Sequence, residues 1–169
     1  MRIRGGLQSS RLRHHPFDVV GWDGSLYPLT LNIADFELVA GRVHVPPPAH
    51  QTVEGRGFVR CSCGSRRLDW EALAVPIPYD PANLNSEDVL YYVAGSVGSR
   101  RGVAPGSITL HSSRLAHGPQ PGLREAALGR TAPDELAVMC DTVRPLCLAR
   151  RAETIDDPGY HGCGGLAGD

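Results

Sequence analysis

The sequence predicts an all-β fold with short helices and long loops rich in Pro and Gly. The 169-residue chain contains 20 Gly and 14 Pro, and the apolar runs between them are short. Because Gly and Pro interrupt helices and central strands, this spacing is typical of many strands joined by turns. Hydrophobic residues make up 41% of the chain and charged residues 21%, which suits one globular domain with its own core.

Three segments differ in composition along the chain. Residues 1–13 carry four arginines without apolar periodicity and are predicted to form a mobile basic arm. Residues 14–150 hold the apolar runs and are predicted to form the β domain. Residues 151–169 end in a Gly-rich stretch and are predicted to form an irregular tail.

The individual elements follow from local patterns. Residues 29–39 fit a short strand or a single helical turn equally well, and Phe58 to Cys63 is predicted to form a strand. The Ala and Leu content of LREAALG predicts a brief helix that ends at Gly129. The last strands are expected over residues 136–139, continuing through 146–148.

Charge and hydropathy exclude several kinds of partner. The formal net charge is −1, so no overall field attracts nucleic acid or an anionic membrane surface. No apolar run approaches the roughly 20 residues of a membrane-spanning helix, and the N-terminus lacks the apolar core of a signal peptide. We expect a cytoplasmic protein without nucleic-acid or membrane partners.

Five cysteines are present, at positions 61, 63, 140, 147 and 163. Because the number is odd and no secretion signal precedes them, free thiols are expected. Cys61 and Cys63 would share one face of a strand, but Cys140 and Cys147 are poorly spaced as a second pair of zinc ligands. Structural zinc is therefore disfavoured.

The segment from Glu87 to His117 contains two apolar runs separated by a Gly-rich turn, which predicts a hairpin. Glu87 and Asp88 open its first strand, whereas His111 and His117 follow its second. Antiparallel pairing would bring the acid and the imidazoles to the same end of the hairpin. A carboxylate with two imidazoles is a donor set that suits a divalent metal such as non-haem iron.

Several blocks of the chain, in the same order, resemble the C-terminal part of homogentisate 1,2-dioxygenase, a cupin-fold enzyme family. The blocks are HPFDVVGWDGSLYP (15–28), PYDPANLNSEDVLYYVAG (78–95), GSITLHSSRLAHGP (106–119), DELAVMCDTVRPL (134–146) and DPGYHGC (157–163). The resemblance implies a jelly-roll barrel that uses Fe(II) and O2 to open an aromatic ring in tyrosine and phenylalanine catabolism.

The resemblance also implies roles for single residues. Asp88 lies seven residues before Gly95, the spacing of the acidic ligand in cupin sites, with Glu87 as the substitute; only one of the two can point inward from a strand. His117 aligns with a histidine ligand at the substrate site, and His111 with a catalytic-site histidine near metal and substrate.

Two further positions match the family's active site, and one departs from it. His44 corresponds to a general base that deprotonates the substrate phenol, and Tyr79 to a tyrosine that faces the substrate. Pro81 stands where the family has a histidine ligand, and proline offers no donor. His111 or His50 are the candidates to fill the gap.

Two functions follow as hypotheses. The first is a ring-cleaving dioxygenase in a truncated or impaired form, because the family continues upstream with a β-rich part. The family also assembles into oligomers, so a homo-oligomer or a separate N-terminal half is expected as partner. The second is a cupin module without turnover that acts as a structural or interaction domain.

Overall fold

The computed structural model divides the chain into two compact units, Met1–Asp35 and Phe36–Asp169. The residues that it describes are 2–3, 6–7, 9, 11–15, 29–40, 50–68, 70, 73–76, 79–96 and 98–160. In the first unit, strands β1 (Arg2–Ile3) and β2 (Gly6–Leu7) pair antiparallel, and Ile33–Asp35 forms one 3₁₀ turn. Of the two alternatives for residues 29–39, the structure therefore has the helical turn. The domain boundaries at residues 13 and 150 stay predictions.

The second unit contains one five-stranded antiparallel sheet with the order β3-β4-β7-β5-β6. Its strands are β3 (Gln51–Gly55), β4 (Phe58–Cys63), β5 (Glu87–Ser96), β6 (Ile108–His111) and β7 (Asp134–Thr142), and the helix α1 covers Leu123–Ala126. The last strand that the structure describes, β7, lies between β4 and β5, in the centre of the sheet. The all-β class is confirmed, and the arrangement is consistent with a cupin-like fold.

Most of the local predictions are confirmed, and one is wrong. The β5–β6 hairpin, the strand over 58–63 and the brief helix before Gly129 are all present. The strand predicted through residues 146–148 is absent, because β7 ends at Thr142. Pro145 cannot donate a ladder hydrogen bond, and the Leu146 N–H donates instead to the Glu87 carboxylate at 2.6 Å.

The core consists of rows of side chains that run across the sheet. Cross-strand pairing aligns Cys61 with Met139 and Leu90, and it aligns Cys63 with Ala137 and Tyr92 in the next row. The core cluster contains Cys61, Cys63, Tyr92, Ala137 and Met139. The buried Tyr92 hydroxyl lies 3.1 Å from the Thr109 hydroxyl. The hydrogen bond between them satisfies the polar end of the aromatic ring.

Gly95 ends the regular part of β5 in a conformation that few other residues adopt. Its φ is +80°, and a Cβ there would collide with the Asp134 carbonyl. Just before it, the β5–β7 register shifts between Tyr92 and Ala94, which marks a β-bulge. Because of the bulge, the side chains between Gly95 and the start of β5 do not alternate regularly between the two faces of the sheet.

The opposite face of the sheet leaves large apolar side chains exposed. Phe58, Tyr91, Ile108 and Leu110 lie on this face and are 40–59% accessible. The described cysteines, at positions 61, 63, 140 and 147, are all free, as predicted, and position 163 lies outside the described residues. Burial raises the pKa of Cys61 to about 11, so this thiol is a poor nucleophile.

The helices in the described part of the chain are too short and not apolar enough to cross a bilayer.

Met139 is 3% exposed at the centre of β7, so its removal should leave a cavity in the core. We expect Met139→Ala to lower the free energy of unfolding by about 2–5 kcal/mol, measured by urea denaturation. Leu148→Ala is the control because Leu148 is 67% exposed. It should change the free energy by less than about 0.5 kcal/mol. Equal losses in both variants would contradict this position of the core.

Candidate metal centre

Three side chains from the hairpin end converge on one point of the second unit. Each of Asp88, His111 and His117 offers one donor atom, and these atoms all lie within 4.8 Å of one another. Asp88 is the second residue of β5, His111 ends β6, and His117 lies in the loop that follows. The antiparallel hairpin brings the acid and the two imidazoles together, as its sequence pattern indicated.

Asp88 occupies the centre of the cluster because of its place in the sheet. It pairs with His111 on one neighbouring strand and with Asp141 on the other. Its side chain is almost fully buried, and its Oδ2 accepts a hydrogen bond from the Asn83 amide. Because an ionised carboxylate loses hydration on burial, this donor is needed to hold Asp88 in place.

Asp141 places a second carboxyl group beside Asp88. Burial, the Asp88 charge and a hydrogen bond between the two groups raise the pKa of Asp141 to about 7. The Asp141 Oδ1 atom is buried and has no hydrogen-bond partner in the described part of the protein. Two adjacent carboxylates repel each other, so one of them keeps its proton up to a pH near 7. The environment assigns that proton to Asp141.

His117 is oriented as a ligand histidine usually is. Its Nδ1–H donates to the Leu115 carbonyl at 3.1 Å, so Nε2 carries the lone pair in the neutral ring. This Nε2 lies 3.9 Å from the Asp88 Oδ2. A backbone carbonyl on the other ring nitrogen is the common device that fixes the tautomer of metal-binding histidines.

His111 is held differently. Its Nδ1 lies 4.0 Å from the Asp88 Oδ2, whereas Nε2 lies 3.4 Å from Nη2 of Arg100. A guanidinium can only donate, so Nε2 accepts this bond and the proton of the neutral ring sits on Nδ1. Desolvation, Arg100 and His117 lower the pKa of His111 to about 3, which keeps the ring neutral.

The donor set fits a divalent transition metal. Two neutral imidazoles and one carboxylate form the ligand set of many non-haem iron sites. Ligands lie about 2.1 Å from a divalent ion such as zinc, so two tetrahedral ligands of one ion are about 3.4 Å apart. The Asp88 oxygen lies 3.9 and 4.0 Å from the two imidazole nitrogens, so these donors must move closer together by roughly 0.5 Å to hold one ion. Cysteine takes no part in the group.

The other predicted site residues lie outside this group. The Glu87 carboxylate accepts the Leu146 N–H and belongs to the opposite face of β5. His50 is fully buried with Nε2 3.2 Å from the Val39 carbonyl, and it is not among the clustered donors. Tyr79 is 49% exposed. His44 lies outside the described residues, and the roles of all these residues stay predictions.

Three residues that contact the cluster were missed by the sequence analysis: Asn83, Arg100 and Asp141. Asn83 and Arg100 reach the site from loops, and no local pattern distinguishes them from other polar loop residues. Asp141 carried a weak signal, since an acid that directly follows the apolar run LAVMC within a strand is unusual for a buried position.

Comparisons with known proteins connect the chain to dioxygenases. A protein of Saccharolobus solfataricus, provisionally named as a dioxygenase, is 43% identical over 157 residues, which is 92% of this chain and 41% of that protein. Homogentisate 1,2-dioxygenase of Pseudomonas syringae is 29% identical over 140 residues, or 75% of this chain and 31% of the enzyme. The enzyme of Sinorhizobium medicae is 28% identical over 90% of this chain and 37% of its own length.

No family model matches the chain. The chain spans about two fifths or less of the length of these relatives. It is related to proteins named as dioxygenases, and its own activity is a matter for proposal.

The raised pKa of Asp141 predicts a pH-dependent cost to folding. Below about pH 4 the Asp141 carboxyl is protonated in both the folded and the unfolded chain. Between pH 4 and 7 it ionises mainly in the unfolded chain, so the free energy of unfolding falls as pH rises. Asp141→Asn removes the charge and keeps a donor for Asp88. In denaturant titrations, the unfolding free energy of Asp141→Asn minus that of wild type should increase from pH 4 to 7 and then level off. A difference that stays constant with pH would contradict the prediction.

Proposed function

We propose that the chain carries the metal centre of a non-haem Fe(II) dioxygenase that opens a dihydroxyphenyl ring, with homogentisate or a close analogue as substrate. The observation that carries the proposal is the convergence of Asp88, His111 and His117. This donor set leaves open positions on a six-coordinate ion, as two-reactant oxygen chemistry requires. The kinship to proteins named as dioxygenases supports the same conclusion.

The ion would be held by Asp88 and His117, which the family resemblance and the donor cluster both indicate. When bound, Fe(II) would hold the phenolate and O2 side by side and polarise O2 for attack on the ring. Both oxygen atoms enter the product and one ring carbon–carbon bond breaks, so no additional reductant is needed.

The residues around the ion have separate tasks. Asn83 and Asp141 hold the Asp88 carboxylate, and the Leu115 carbonyl holds the ring of His117. By resemblance, His44 would take the phenol proton and Tyr79 would face the substrate. The resemblance implies that His111 lies beside metal and substrate, whereas the donor cluster offers it as a possible ligand. A homo-oligomer or a separate N-terminal half remains the proposed partner, and the cytoplasm the proposed location.

Pro81 favours a second candidate function. Without the histidine of the family at this position, the site could be one that no longer turns over, and the chain would then act as a structural or interaction domain. The exposed apolar face with Tyr91, Ile108 and Leu110 would suit such a role.

Oxygen uptake separates the two functions. The chain, reconstituted anaerobically with Fe(II), should consume O2 with homogentisate or a related ring diol. Asp88→Asn and His117→Phe should each lower the rate at least about 100-fold. Loss of an outer partner alone typically costs 10- to 100-fold, and both variants remove a ligand.

His14→Ala is the matched control, because His14 is exposed and outside the donor cluster. It should keep the wild-type rate. An iron-loaded chain that consumes no O2 with homogentisate or with any related ring diol tested would leave the structural role as the better account.

A further inference from the structure

Position 81, where the resembling family has a ligand, lies directly beside His117 in the backbone. The His117 N–H donates to the Pro81 carbonyl at 2.9 Å, and Ala82 forms an antiparallel bridge with Ala116. The Arg114 N–H likewise binds the Asn83 carbonyl in this short ladder. The segment around residue 81 therefore approaches the centre, but proline contributes no donor to it.

His111 approaches the same centre from another direction. It pairs with Asp88 across the β5–β6 ladder, and its ring stacks on the ring of His117 with centroids 4.5 Å apart. His50 is the other candidate for the missing ligand, but its Nε2 contacts the Val39 carbonyl and it does not belong to the donor cluster. Among the described residues, His111 is the one additional imidazole whose nitrogen reaches the centre.

We propose that His111 is the third metal ligand in this chain, in the place of the histidine that Pro81 replaces, and that Arg100 competes with the metal for its imidazole. The inference rests on the proposed function for the identity of the metal. It departs from the ligand set that the resemblance implies, where the residue at position 111 is not a ligand.

Arg100 opposes metal binding through the tautomer of His111. Its guanidinium donates to Nε2 and also to the Gly118 carbonyl, so it is anchored beside the ring. Coordination through Nδ1 requires the proton on Nε2, and a proton there displaces the Arg100 donor. Because an ion binds in the plane of an imidazole, one ring of the stacked pair must also turn. Arg100 is therefore a positioning residue.

Binding of Co(II) alone to the full chain tests the ligand assignment. His111→Phe keeps an aromatic ring on His117 but has no donor nitrogen. It should weaken Co(II) binding at least about tenfold and change the visible d–d spectrum. Adding Pro81→His to His111→Phe should restore affinity to within a few-fold of wild type, because residue 81 lies beside His117.

The controls separate a lost ligand from a lost fold. Each variant is compared by circular dichroism and thermal unfolding, and His14→Ala should bind Co(II) like wild type. Wild-type affinity in folded His111→Phe would overturn the assignment. Failure of Pro81→His to restore binding in a folded double variant would overturn the claim that His111 replaces the residue at position 81.

Arg100→Met tests the competition. It should raise Co(II) affinity several-fold in the wild-type background and have a smaller effect in His111→Phe, where only charge repulsion is relieved. Equal effects in both backgrounds would overturn the role of Arg100. Because these measurements use metal binding, a site that binds Co(II) through His111 but shows no oxygen uptake would reject the proposed function and leave this inference intact.

Discussion

The register of β5 between its two neighbours is the constraint on which the site depends. Hydrogen bonding sets Asp88 opposite His111 on one side and opposite Asp141 on the other. A slip of one residue would turn Asp88 to the exposed face and bring Glu87 inward. The apolar rows that contain Met139 and Tyr92 oppose such a slip, because it would expose their side chains to water. Exposure costs about 25 cal/mol of folding free energy for each Å² of apolar surface. Core packing thus fixes the position of a polar side chain that adds nothing to the core.

Burial of Asp88 carries an electrostatic cost that its surroundings offset only in part. Asn83 supplies a hydrogen bond, and a protonated Asp141 supplies another. The His111 imidazole remains neutral, because burial and Arg100 lower its pKa. Among the residues that the structure describes, no Lys or Arg side chain forms an ion pair with the Asp88 carboxylate to balance its charge. A divalent ion would neutralise that charge and satisfy the lone pairs, which is the electrostatic reason for reading these donors as a metal centre.

The sequence predicted the hairpin and its polar end because both depend on local signals, namely alternating apolar residues and a Gly-rich turn. It left Glu87 and Asp88 open, since counting back from Gly95 crosses the bulge near Tyr92, and a bulge has no clear sequence signature. Cross-strand register decides which acid faces the cluster, and register depends on residues some 50 positions away in β7. Arg100 could not have been predicted either, because its contact with His111 is made by a loop whose path is set by tertiary packing.

The two routes to a third ligand illustrate how a ligand set can change while the backbone stays the same. Position 81 reaches the centre through a short ladder with the loop that carries His117, whereas His111 reaches it through the β5–β6 ladder. Both ladders are held by backbone hydrogen bonds, and Pro81 keeps its carbonyl bond to His117 without any side-chain donor. A proline at position 81 is therefore compatible with the observed geometry around Asp88 and His117. The neighbouring imidazole then needs only a change of tautomer and a turn of its ring, both local events, to serve the same ion.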